Sequence, residues 1–245
     1  MNEGHPRNLD CLNMKIHALN AQGTLTPYIE FIEHTLRDTH RQVSEQLTLP
    51  SIDVIVKTGS YVIPEKGIMG YCPEEHLIYL TIDTDSSAFK KNGNESLKRM
   101  FTHELHHAAR WGAIGYGDTL GAAILSEGLA GHFVLEIFNG EPEQWEMVDW
   151  NTLHTHFNHM LANWDVKNYN HNDWFYGTGE LPRWLGYSLG FRLVSWYLRS
   201  ETTSKPSSLV DMHPDNFIAY LKNKGWLDFT EAPSDAPHAQ ALECK

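Results

Sequence analysis

His103-Glu104-Leu105-His106-His107 sets two imidazoles four residues apart with a carboxylate directly after the first. Neutral imidazole is the commonest metal-binding side chain, and on an α-helix residues i and i+4 project from one face, one turn apart. If this segment is helical, His103 and His107 converge on one cation while Glu104 lies beside it. That is the arrangement of two zinc ligands and a general base. A catalytic zinc takes a third protein ligand and keeps one position open, and two His with one Glu is an established set. His106 offers an i, i+3 alternative with His103, but it fits packing or support of a ligand better. A carboxylate that could complete the set is Glu127 in Ser126-Glu-Gly-Leu-Ala-Gly-His-Phe133, 20 residues after His107.

That spacing carries a resemblance. H-E-x-x-H followed about 20 residues later by Glu resembles the gluzincin branch of zinc metallopeptidases. The fuller wording is His-Glu-Leu-His-His with Arg110-Trp111, then Ser-Glu-Gly-Leu-Ala, then Pro182-Arg-Trp-Leu-Gly-Tyr-Ser-Leu-Gly190. It resembles an uncharacterised bacterial family of predicted zinc-dependent proteases, domain of unknown function 2268, over roughly residues 50 to 200. Gly67-Ile-Met-Gly-Tyr71, before the histidine helix, fits the same family. The resemblance implies a zincin-like peptidase in which His103, His107 and Glu127 bind Zn2+ and Glu104 is the general base. It also implies that a strand through Gly67, Ile68, Met69, Gly70 and Tyr71 runs beside an extended peptide or protein substrate. One position departs: many gluzincins carry an acidic residue four positions after the third ligand, where this chain has Gly131 and then His132. The carboxylate or carbonyl that accepts a ligand histidine's second N–H must come from elsewhere, with Asp118 and Glu136 as candidates.

The elements that must position these groups follow from periodicity. Thr26 as cap and Pro27 at the first helical position open an amphipathic helix through Tyr28, Phe31, Ile32, Leu36, Val43 and Leu47, ended by Pro50. Ile52, Val54 and Val56 alternate with polar neighbours as a strand, His76 to Asp83 is a second strand, and Gly67 to Tyr71 is a short edge strand between them. Leu97, Phe101, Leu105 and Ala108 or Ala109 form the apolar stripe of a helix over 95–111, and Ile124, Leu129 and Phe133 restart a helix. Leu181 to Leu198 forms another buried helix, where Gly186 and Gly190 lie one turn apart and admit a neighbouring backbone.

A tyrosine hydroxyl aimed at the metal would stabilise the oxyanion formed on a substrate carbonyl. Tyr187, beside the two glycines, is assigned that role, with Tyr176, His132 and His171 as rivals. His154, His156, His159 and His171 are irregularly spaced among Asn and Asp and are read as a wet surface. Arg110 could hold a carboxylate or a peptide terminus but is read as an exposed charge favouring the end of its helix, and Glu74 and Glu75 as solvated turn charges.

The 245 residues, 41% apolar and 20% charged, suit one globular α+β domain over 1–230, with a sheet-containing lobe to about 112, a mainly helical lobe beyond it and a frayed tail over 231–245. A net charge of −12 repels phosphate backbones and anionic headgroups, so nucleic-acid and membrane partners are not expected. Three cysteines without C-x-x-C spacing suggest neither a disulfide framework nor a thiolate zinc cage. With no signal-like N-terminus, a cytoplasmic location is expected. The competing reading is a metal-binding chaperone-like or interaction module that has lost turnover; it would need the three ligands but not Glu104.

Overall fold

The computed structural model describes residues 13–227; the expected tail and two of the cysteines, Cys11 and Cys244, lie outside them. The chain is α+β and mostly helical, with one mixed four-stranded sheet. Two compact units divide it. Among the described residues, the first runs to Tyr116 and takes in Leu129–Glu141 and Ser204–Asp211; the second comprises Gly117–Gly128, Pro142–Thr203 and residues 212–227.

In the first unit β1 (Met14–Leu19), β2 (Ile52–Thr58), β3 (Ile68–Glu74) and β4 (Leu77–Ile82) lie in the order β1-β2-β4-β3. β2 pairs in parallel with β1 and β4, whereas β3 runs antiparallel to β4 at the sheet edge. Parallel neighbours need a crossover, supplied between β1 and β2 by α1 (Ile29–Ser44). Val54, Val56, Ile78, Leu80, Ile82 and Ile68 alternate into a buried face, and α2 (Ser87–Ile114) packs on β3 and β4 while α1 packs on α2. Each such fully buried branched side chain contributes about 1.5–3 kcal/mol.

Several boundaries differ from the periodic reading, each for a local reason. The first helix begins as a 3-10 turn over Thr26–Tyr28 and becomes α-helical only at Ile29. Thr26 does not cap it, because its hydroxyl accepts the Asn20 side-chain amide at 2.9 Å. β3 extends three residues past Tyr71 and includes Pro73, tolerated because an edge strand can spare a donor. α2 starts earlier than 95, capped by Ser86, whose hydroxyl accepts the Phe89 N–H at 3.3 Å, and it bends at Asn92 (φ −128°, ψ 20°).

In the second unit α5 (Leu185–Ser200) is the central helix. α4 (Trp150–Ala162), a 3-10 turn at Gln144–Glu146 and a π-helical turn at Asn172–Tyr176 pack against it. Trp196 is buried among Trp150, Phe157 and Trp226. The Ser188 hydroxyl donates to the Trp145 carbonyl at 2.9 Å and accepts the Val148 N–H at 3.0 Å, tying the turn to the helix. α6 (Pro214–Asn223) closes the described chain, with Phe217 stacked on Tyr197.

α3 (Leu120–Phe138) is one continuous helix. By length and composition it could cross a bilayer, yet 78% of its apolar window is buried inside the protein. That burial fits a core helix.

Candidate metal centre

His103 and His107 stand one turn apart on α2, and their rings meet edge to face with centroids 4.7 Å apart. Both are buried, as are Glu104 beside them and Glu127 on α3. One ring nitrogen from each histidine and one carboxylate oxygen of Glu127 all lie within 4.8 Å of one another. Zinc bonds of about 2.0–2.2 Å in tetrahedral geometry place ligand atoms roughly 3.3–3.6 Å apart, within the 4.8 Å that separates these three atoms. The donor set also fits: two neutral imidazoles and one carboxylate leave a fourth position open. Among the described residues this is the one such group of His, Cys, Asp or Glu.

Glycines set two of these positions. On β3, a methyl group at Gly70 would sit 2.7 Å from Glu104 Cγ, so only a bare backbone lets the strand lie against that carboxylate. Cys72, the next residue on that face, has its thiol pKa raised by burial and by the nearby Glu104 charge. On α3, Gly128 follows Glu127 directly and touches the Gly190 backbone of α5. Of the two α5 glycines, only Gly190 admits a backbone; the space at Gly186 is taken by the Phe175 ring.

Tyr187 is half-buried, with its ring edge-on to Phe175 at 5.0 Å and Tyr176 at 6.5 Å. His171 stacks on the same Phe175 ring at 4.4 Å, and its Nδ1 shares a 3.3 Å hydrogen bond with the Tyr169 hydroxyl. Both members feel Glu127. Burial first, then the Glu127 charge, pushes the Tyr169 pKa up to about 12; burial lowers that of His171 against an opposing pull from Glu127. Tyr169 carries no signal in the sequence, since it lies in an irregular segment with no motif to mark it. His171 is likewise no wet-surface residue. His154, His156 and His159 are on α4, where His154 and His159 are exposed.

Two further expectations change. Arg110 is fully buried, not an exposed helix-end charge: its guanidinium donates to the Val210 carbonyl at 2.9 Å, because the 206–211 segment covers the end of α2. Burial lowers its pKa to about 10 against the opposing charges of Tyr116 and Asp211. Glu136 accepts both the Ser207 N–H (2.8 Å) and hydroxyl (2.6 Å), and Asp118 pairs with Lys167 at 3.0 Å on the surface. Both carboxylates are thus engaged by other partners. His106 is fully buried against Phe133, 5.3 Å between centroids, in a packing position. Burial, then the neighbouring His107, Arg110 and His103, holds its pKa well below the ordinary value.

Residues 32–219 match the family described as a predicted Zn-dependent protease (DUF2268). The chain is also 32% identical over 123 residues to the uncharacterized protein YjaZ of Bacillus subtilis (strain 168), a stretch covering 46% of this chain and 47% of the relative. The match thus spans about half the length of that curated relative. No solved structure matches the chain.

Proposed function

The chain belongs to the family of predicted Zn-dependent proteases, and from that membership together with the buried His103, His107 and Glu127 triad we propose a zinc-dependent peptidase of gluzincin type on a zincin-like fold. The observation that carries the reading is the convergence of those three donors with the Glu104 carboxylate next to the first of them. Zinc held there supplies a Lewis acid, polarising a carbonyl and bringing the pKa of water to about 7.

The chain's own groups do the rest. Glu104 accepts the proton of the attacking water and returns it to the leaving amine, and its burial keeps bulk water from competing for that proton. Gly70 lets β3 lie against the same carboxylate, so a peptide on that strand, within Gly67 to Tyr71, meets the proton acceptor. Oxyanion stabilisation falls to a tyrosine of the second unit, with Tyr187 assigned and the Tyr169–His171 pair as its rival beside Glu127.

The test pairs the wild type with Glu104→Gln, which keeps the size of the side chain but cannot accept the proton. Both proteins should hold equal zinc and melt at the same temperature, and only the wild type should cleave unfolded protein or a peptide library followed by mass spectrometry. Equal cleavage by both would remove Glu104 from its role.

A further inference from the structure

The outer edge of β3 is open at one residue. Asp83 N–H donates to the Gly67 carbonyl at 3.0 Å, and the antiparallel register then places Ile68 opposite Ile82, Met69 opposite Thr81, Gly70 opposite Leu80 and Tyr71 opposite Tyr79. Antiparallel neighbours alternate between pairs that exchange hydrogen bonds and pairs that do not. Met69 and Tyr71 therefore turn their N–H and C=O groups into the sheet, while Ile68 and Gly70 turn theirs outward.

The carbonyls of Ile68 and Cys72, on either side, are already engaged. That of Ile68 accepts the Ile63 N–H at 3.1 Å, where an isolated bridge folds the preceding loop onto the strand. Past Tyr71 the register shifts before Glu74 pairs with Leu77, and within that shift the Cys72 carbonyl accepts the Trp111 indole N–H at 3.3 Å. Pro73, next along the strand, has no N–H to offer. Between these brackets Gly70 keeps an outward donor and acceptor, and its α-carbon is the one pressed against Glu104.

We propose that β3 engages substrate through the backbone of Gly70 alone, so that the substrates are short extended peptide segments held by one main-chain pair beside Glu104 and not long strands added to the sheet. This rests on the peptidase reading above. A residue opposite Gly70 donates its N–H to the Gly70 carbonyl and accepts the Gly70 N–H. Two residues away on either side, the carbonyl that would receive the next substrate N–H is taken. Substrate N–H groups therefore meet one open main-chain acceptor on β3, the Gly70 carbonyl.

An N-methyl scan tests this, because methylating one peptide nitrogen deletes one donor. The probe is acetyl-Ala-Ala-Ala-Phe-Leu-Ala-Ala-Ala-amide and its singly N-methylated versions, titrated by fluorescence anisotropy competition against zinc-loaded Glu104→Gln protein, with cleavage by the wild type followed in parallel. One position should lose affinity by about tenfold, the loss of a single hydrogen bond, and the others should change little. In Trp111→Phe, which frees the Cys72 carbonyl, a second sensitive position should appear two residues from the first. Losses at every second position in the unsubstituted background would overturn the inference and leave the peptidase reading standing. A single sensitive position in Trp111→Phe would overturn the bracketing by the indole. No binding of any peptide, with no cleavage by the wild type, would remove the peptidase reading and this inference with it.

Discussion

Gly128 and Gly190 touch backbone to backbone: a methyl group on Gly128 would lie 3.0 Å from Gly190 Cα, and one on Gly190 would lie 3.1 Å from the Gly128 nitrogen. The contact seats α3 on α5 one residue from Glu127. Overpacking a fitted helix crossing costs about 1–3 kcal/mol, and here the strain falls next to Glu127. Gly128→Ala should lower stability by that amount and weaken zinc binding, whereas Gly186→Ala, which meets the Phe175 ring, should cost stability with less effect on zinc. Chemical denaturation and competition with a chromogenic zinc chelator measure the two separately.

Gly70→Ala should spare the metal and damage turnover. The added methyl displaces the Glu104 carboxylate, while His103, His107 and Glu127 are untouched. Positioned acid–base catalysis is worth about 10²–10⁴-fold, so kcat should fall within that range at unchanged zinc content. Steady-state kinetics beside metal analysis checks this, and a loss of zinc in proportion to activity would contradict it.

His40, buried on α1, predicts a pH dependence of stability. Burial lowers its pKa from 6.5, so the unfolded chain takes up a proton that the folded chain resists, and stability contributed by the neutral ring is lost as pH falls below 6.5. The slope from one such group is at most about 1.4 kcal/mol per pH unit. His40→Leu should flatten the decline between pH 7.5 and 5.5 in urea unfolding of the chelator-treated protein; an unchanged slope would assign the decline to other groups.

Local geometry made half the metal centre legible in the sequence. Four-residue spacing on a helix forces His103 and His107 together whatever the rest of the chain does. Glu127 was reachable only by resemblance, because its place depends on how α3 seats at Gly190, a packing event with no sequence period. The same distinction runs through the fold. β2 and β4 announced themselves by alternation or a buried run, whereas β1, with Lys15, His17 and Leu19 exposed, has too little apolar contrast to read. Asn92 bends α2 without a proline to mark it. Arg110 looked like a surface charge because the segment that buries it lies 100 residues away.

That burial gives a prediction about stability. Arg110→Ala removes the donor to the Val210 carbonyl and leaves a cavity at the end of α2, and losses of this kind cost about 3–5 kcal/mol. Arg110→Lys should recover only part, since an ammonium cannot reproduce the planar fork. Thermal melts of the three proteins decide it; an Arg110→Ala protein as stable as the wild type would mean that the 206–211 segment does not depend on the guanidinium.

The central claim is that His103, His107 and Glu127 hold one zinc without sulfur. X-ray absorption at the zinc edge, on protein purified without chelator and matched to its metal content, reads the ligand atoms directly. The result expected is one zinc per chain, a first shell of nitrogen and oxygen only at about 2.0–2.2 Å, and outer-shell scattering from two imidazoles. A sulfur ligand, a third imidazole or a chain that binds no zinc would contradict the account.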